Sequence, residues 1–250
     1  LTDAGDSSVR PESQSRQTLS RPFVSIDSGS LMAGGRGSVI ETEYAAGDSV
    51  LSAAFAAAPD HRTQVIDPSV TPAAIDRLAA LGTRSVVLQS SQLRSAVIND
   101  ESSVLTNRFV IEGENGTSFT AMANDDTASS RLVLTKDPVL GAHHALAEIM
   151  MLHQEQTGAN RGAALTIPAG TDIAAFKAFL AGLSTTTGAA SGSTGNAVIQ
   201  PVTLDDLFAR TAVATASQKP IVREWTSTEP TELGVYGIEL EQAQWNLLGL

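Results

Sequence analysis

The chain contains no cysteine in its 250 residues, which excludes disulfides and thiolate metal sites. Lysine is almost as scarce, with Lys136, Lys177 and Lys219 the whole set and the arginines scattered. At a net charge of −11 no basic patch can be read, which argues against nucleic acid and anionic membrane surfaces as partners. No apolar run reaches the roughly 18 residues needed to cross a bilayer, so no membrane span is expected. Catalytic signatures are missing too. The run GGRG at 34–37 lacks the GK[ST] ending of a phosphate loop and the spacing of a dinucleotide fingerprint. No G-x-S-x-G elbow occurs, and no cofactor is implied. The chain starts at Leu1 without a methionine and stops at Leu250 inside an apparent helix from Ile238, as expected of a piece of a longer polypeptide.

What is present describes a folded α/β protein: 42% hydrophobic and 17% charged residues, in a pattern that alternates short apolar runs with helical periodicity. Asp137 is placed to cap a helix with Pro138 at its first position. Along that helix, to Gly158, the stripe Val139, His143, Leu146, Ala147 and Met150 is expected to face the core. Thr71-Pro72 opens another helix, carrying Ile75, Leu78 and Leu81, and Gly82 ends it. A third helix begins near Thr171-Asp172 and buries Ile173, Phe176, Phe179, Leu180 and Leu183. It runs out in Ser184 to Gly195, expected to be a surface loop. A helical pattern also covers 39–58. Strands are predicted at 23–27, 64–67, 85–88, 118–123, 164–167 and 197–200, with a further one possible at 108–111. Six β/α steps fall short of a closed eight-fold barrel. The fold expected is therefore α/β, an irregular or incomplete (β/α) barrel-like domain with a mostly parallel sheet. Residues 1–20 read as a polar linker, 21–210 as the domain, and 211–250 as an extension leading to a C-terminal helical segment.

The segments RPFVSIDSGSL, RTQVIDPSVTPAAIDRLAALGTRSVVLQSSQL, TAMANDD, DPVLGAHHALAEIMMLHQE, RGAALTIPAG and VIQPVTLDDLF resemble the α/β-barrel-like region of an uncharacterised family of actinobacterial, mycobacterial-type cell-envelope proteins, often encoded beside the lipid II flippase. The resemblance covers residues 21–210. It implies an extracytoplasmic location in the cell envelope, membrane-anchored or secreted in the full-length protein, and a cell-wall context. It implies no reaction.

In α/β sheets ligands bind beyond the carboxyl ends of the strands. Asp27, Asp67 and Asp125 each follow such an end, with Ser90, Ser91, Asn124 and Gln200 as polar neighbours. If Asp67 and Asp125 converge, two carboxylates could flank a glycosidic bond as acid and base. The alternative is that each aspartate caps the turn or helix that follows it. His144 and Glu148 have the i, i+4 spacing of a helical ligand pair. The segment nevertheless lacks the His-x-x-x-His pattern of metal-dependent polysaccharide deacetylases, and a buried structural role is expected for His143. No metal is expected. His61 and His153 read as surface residues, and Ser90-Ser91 has no sequence-evident base. Trp225, Tyr236 and Trp245 could stack on a sugar or pack against other parts of the protein. Two readings follow: a non-catalytic binding or scaffold module for cell-wall glycan or a membrane protein of peptidoglycan assembly, or a glycan-active hydrolase using strand-end carboxylates.

Overall fold

A computed structural model describes residues 17–94, 105–155, 161–186, 199–234, 237–239 and 242. Among these the elements are α1 (Ser28–Ala33), α2 (Gly37–Phe55), β1 (Thr63–Val65), α3 (Pro72–Ala80), β2 (Ser85–Gln89), β3 (Phe109–Glu112) and β4 (Ser118–Asn124). They are followed by α4 (Asp126–Leu134), α5 (Pro138–Glu155), α6 (Ile173–Thr186), α7 (Leu204–Arg210), β5 (Thr215–Ala216) and β6 (Lys219–Pro220), and a 3₁₀ turn covers Ser90–Gln92. Strands β1 to β4 form a mostly parallel sheet in the order β1-β2-β4-β3. Five residues join β3 to β4, too few for a parallel crossover, so this pair is antiparallel.

The α/β class holds, but the sheet is open and not closed into a barrel. Two of the expected strands do not form. At 23–27, Phe23 and Val24 remain 60% and 50% exposed, so the run has no sheet face on which to bury. At 164–167 a single bridge, Ala164 to Asn124, is all that forms. Of the strand expected at 197–200, residues 199–200 carry no strand and 197–198 lie outside the described residues. So do 1–16 of the expected linker, 187–195 of the expected loop, and Trp245 with most of the C-terminal helix.

The chain divides into two compact units: Leu1–Ser85 with Glu112–Phe119 and Trp225–Leu250, and Val86–Ile111 with Thr120–Glu224. In the first, α3 follows its sequence signals. Thr71 accepts from Ala74 N at 3.2 Å, Pro72 stands where no N–H is needed, and Ala74, Ile75 and Leu78 are buried. Gly82 then leaves the helix at φ +108°, a conformation that favours glycine. A strap at 17–24 crosses α2. Its backbone pairs with Asp60 through Ser20 N and Thr18 O, and Phe23 N donates to Glu43 O. The crossing is possible because residue 47 is glycine: a Cβ there would lie 1.9 Å from the Arg21 carbonyl oxygen. Ser20 is fully buried and donates to Asp48 Oδ1 at 2.6 Å. Tyr44, on the same helix and buried, has its phenol pushed up to about 12, chiefly by desolvation.

In the second unit three helices pack in succession. Asp137 caps α5 as expected, accepting from Val139 N and Leu140 N. The buried face, however, is Gly141, Ala142 and Ala145, while Val139 is 46% exposed and His143 points to solvent. The reason is α4, a helix absent from the sequence expectations. A Cβ on Gly141 would come within 2.6 Å of the Arg131 carbonyl oxygen of α4, so the small residues let the helices approach closely. Leu132, Ala142, Ala145 and Phe179 form the buried centre of this layer, with Leu146, Ile149, Leu165, Ile167 and Leu183 packed around it. Burying Phe179 contributes about 2–3 kcal/mol. The polar 211–223 segment also holds pairing that hydrophobic pattern does not announce. β5 and β6 form a hairpin closed by Ser217 and Gln218, both at positive φ, as a two-residue turn of matching twist requires. Its flanks bond to β3 through Arg108 and Val110.

Candidate functional site

The carboxyl ends of β2 and β4 carry a polar cluster in the second unit, and Asp126 is its hub. Asp126 Oδ2 accepts from Ser90 Oγ at 3.1 Å, Ser91 N at 3.1 Å and Ser91 Oγ at 2.9 Å. Its other oxygen accepts from Asn124 Nδ2 at 2.9 Å. Asn124 is buried, and its Oδ1 accepts from Thr166 N at 2.6 Å. One amide thus ties the end of β4 to the 164–167 segment while leaning on the hub. Asp125 is also buried, and its Oδ1 accepts from Thr127 N and Ala128 N, both at 3.0 Å. It is the N-cap of α4, a place where the helix dipole favours negative charge.

Sequence reasoning placed Ser90 after the strand at 85–88 and Asn124 and Asp125 after the strand at 118–123, and the structure joins Ser90 to Asn124 through Asp126. The hub itself, Asp126, is not among the site residues singled out from the sequence, and the capping role falls to Asp125. The Asp125-Asp126 pair after a strand carried the signal, since only one of two adjacent carboxylates can cap the same helix. The hub's partners are two hydroxyls, an amide and a backbone N–H, with no imidazole to take a proton from Ser90 or Ser91. Chemically it is a tie between strand ends.

Asp27 and Asp67 lie in the first unit. Asp27 accepts from Ser30 N at 3.0 Å and Ser30 Oγ at 2.6 Å, capping α1. Asp67 Oδ1 accepts from Ser69 N and Ser69 Oγ. The two turns touch, because Gly29 N donates to Ser69 O at 2.9 Å. The guanidinium of Arg62, hydrogen-bonded to Asp60, holds that carboxyl well below the usual carboxylate range.

Beside Asp125 the second unit contains a cavity of about 660 Å³, within the range that holds small-molecule ligands. Gln200 lines it as well, so two of the predicted polar residues meet there. Its walls come from α5, α6 and α7, and Ile149, Leu165 and Leu183 are only half-buried along them. Arg161 enters the lining with its guanidinium set by Thr106 Oγ1, at 2.9 and 2.6 Å, and by the Leu152 carbonyl at 2.9 Å.

The histidines give no metal centre. His144 is exposed, while Glu148 pairs with Arg131 at 3.4 Å. His61 Nε2 contacts Asp48 Oδ2 at 2.9 Å. Among the described residues no group of three His, Asp or Glu side chains could hold a metal ion, and no helix is long and apolar enough to cross a membrane. Trp225 donates its indole N–H to Glu112 O at 3.2 Å. No family model and no curated protein matches the chain.

Proposed function

We propose that the chain is a non-catalytic binding module of the cell envelope, and that its partner is a membrane protein of peptidoglycan assembly. The observation that carries this reading is the apolar surface left open on α4 to α6. Leu134 is 80% exposed and Ile173 70%, and Val139, Leu140, Met151 and Leu180 are exposed with them. Exposed apolar side chains in such number on one helical layer mark an interaction surface. The aspartates expected at strand ends support the same reading, since Asp27, Asp67 and Asp125 satisfy backbone N–H groups. The envelope context comes from the family resemblance of residues 21–210.

The test is capture of purified lipid II flippase, with soluble peptidoglycan fragments as a second bait. Flippase retained by the wild-type chain and lost by Leu180→Glu with Ile173→Glu, at unchanged melting temperature, supports the reading. Retention of neither bait rejects it. A glycan-active hydrolase has one observation in its favour, the position of Asp125 on the cavity wall. Glycan turnover abolished by Asp125→Asn would establish that alternative.

A further inference from the structure

We infer that the cavity of the second unit binds a neutral long-chain alcohol, its aliphatic chain among the branched side chains of the walls and its hydroxyl donating to Asp125 Oδ2. The inference goes beyond the partner surface on α4 to α6 and does not depend on it. It starts from an acceptor that lacks a donor. Asp125 lines the cavity and is only 7% exposed, yet the hydrogen bonds it accepts, from Thr127 N and Ala128 N, both go to Oδ1. Among the described residues none donates to Oδ2. A ligand that covers such an oxygen must donate to it or leave it unsatisfied away from water.

The walls select the body of the ligand. Phe179 is the one Phe, Tyr or Trp in the lining, which gives a pyranose ring no stacking platform. Ile149, Leu165, Ile167, Leu183, Val202 and Leu204 instead present branched aliphatic surface, and each is only half-buried. A saturated or prenyl chain removes that surface from water without asking for directional contacts. The carboxylate selects the head. Its charge already meets two backbone N–H groups at the start of α4, where the helix dipole favours it, so no counter-charge is called for. A hydroxyl offers one donor to one acceptor, whereas an ammonium would leave water for an aliphatic wall at greater cost. An ionised carboxyl head has no proton to donate and repels Asp125.

The experiment is calorimetric titration of the whole chain with decanol, its isomer nonyl methyl ether, decanoate, decylamine and butanol, all below their solubility and micellar limits. Decanol binds about tenfold more tightly than the ether, which has the same atoms and no donor. Decanoate and butanol do not bind, and the binding heat capacity change for decanol is negative. Asp125→Asn keeps a side-chain oxygen for the cap and can turn an N–H toward the ligand in place of Oδ2. An ether accepts from that N–H as well as an alcohol does, so in this variant the alcohol loses most of its preference over the ether. Leu183→Trp fills the volume and weakens decanol and the ether alike, and Ala163→Trp, at an exposed position of the lining, does the same from outside the packed layer. Equal binding of decanol and the ether by the native chain overturns the inference, as does absence of decanol binding. Tighter binding of decanoate or decylamine than of decanol overturns the neutral head. A preference unchanged in Asp125→Asn overturns the role of Oδ2, and affinities unchanged in both tryptophan variants overturn the assignment to this cavity. Because flippase capture reads a different surface, failure here leaves the partner-binding reading standing, and the converse also holds.

Discussion

The two strand ends of this protein start from the same sequence signal and do different work. After β1, Asp67 bonds to Ser69, two residues on, and ahead of α1, where the expected strand is missing, Asp27 bonds to Ser30, three residues on. Both satisfy N–H groups that their own turns leave open. After β4, Asp126 reaches Ser90 and Ser91, 36 and 35 residues away, and Asn124 reaches Thr166, 42 residues away. An aspartate behind an apolar run therefore says that backbone donors are nearby. It does not say whether those donors belong to the next turn or to another strand. That distinction governs how much each carboxylate contributes to stability, because long-range ties resist unfolding of a whole unit and local ones resist fraying of a turn.

The contrast can be broken or sharpened by substitution. Asp126→Ala strips four donors of a charged acceptor, and we expect it to lower unfolding stability by about 3 kcal/mol, read as a shift of the denaturant midpoint. A loss under about 1 kcal/mol would make the hub as local in effect as Asp67. Tyr44 gives the first unit its own signature. Its phenol ionises near 10 when unfolded and near 12 when folded. The stabilisation is complete below pH 10 and lost as pH rises to 12. Two pKa units correspond to roughly 2–3 kcal/mol. Tyr44→Phe should flatten the stability profile over that window, measured by urea titration at successive pH values. Asp125→Ala removes one N-cap and should cost about 1 kcal/mol. Smallest is Asp67→Ala, about 0.5 kcal/mol, since the Ser69 donors it frees are exposed to water.

Local chemistry was legible and close packing was not. The start of α3 at Thr71-Pro72, its buried Ile75 and Leu78, its end at Gly82, and the Asp137 cap of α5 all follow from rules that act within a few residues. The buried face of α5 did not, because the stripe was read from large side chains. The helix buries Gly141, Ala142 and Ala145 against α4, whose Ser-rich DTASSRLVL sequence has little amphipathic contrast. The strap over α2 was equally silent. Its decisive residue is Gly47, whose missing side chain leaves no mark in a hydrophobicity pattern. At the site, Ser90, Asn124, Asp125 and Gln200 were placed by the position of strand ends. Asp126 and Arg161 were not, since each acts through partners tens of residues away in sequence. Arg161 comes soon after a stretch read as a helix stop, and its contacts with Thr106 and the Leu152 carbonyl show its direction.

The strap seated on Gly47 also sets a limit on how far the chain can be shortened from its amino end. Cutting ahead of Thr18 removes the Gln17 amide from Asp60 but leaves the backbone pairing with Asp60 and the bonds to Asp48 and Glu43 in place. Cutting after Val24 bares Gly47 on α2, strips Asp48 of the Ser20 hydroxyl, and takes Arg21 away from Tyr44. A library of stepwise deletions would therefore show a cliff within seven residues, and its edge would mark where folding of the first unit begins to need the strap.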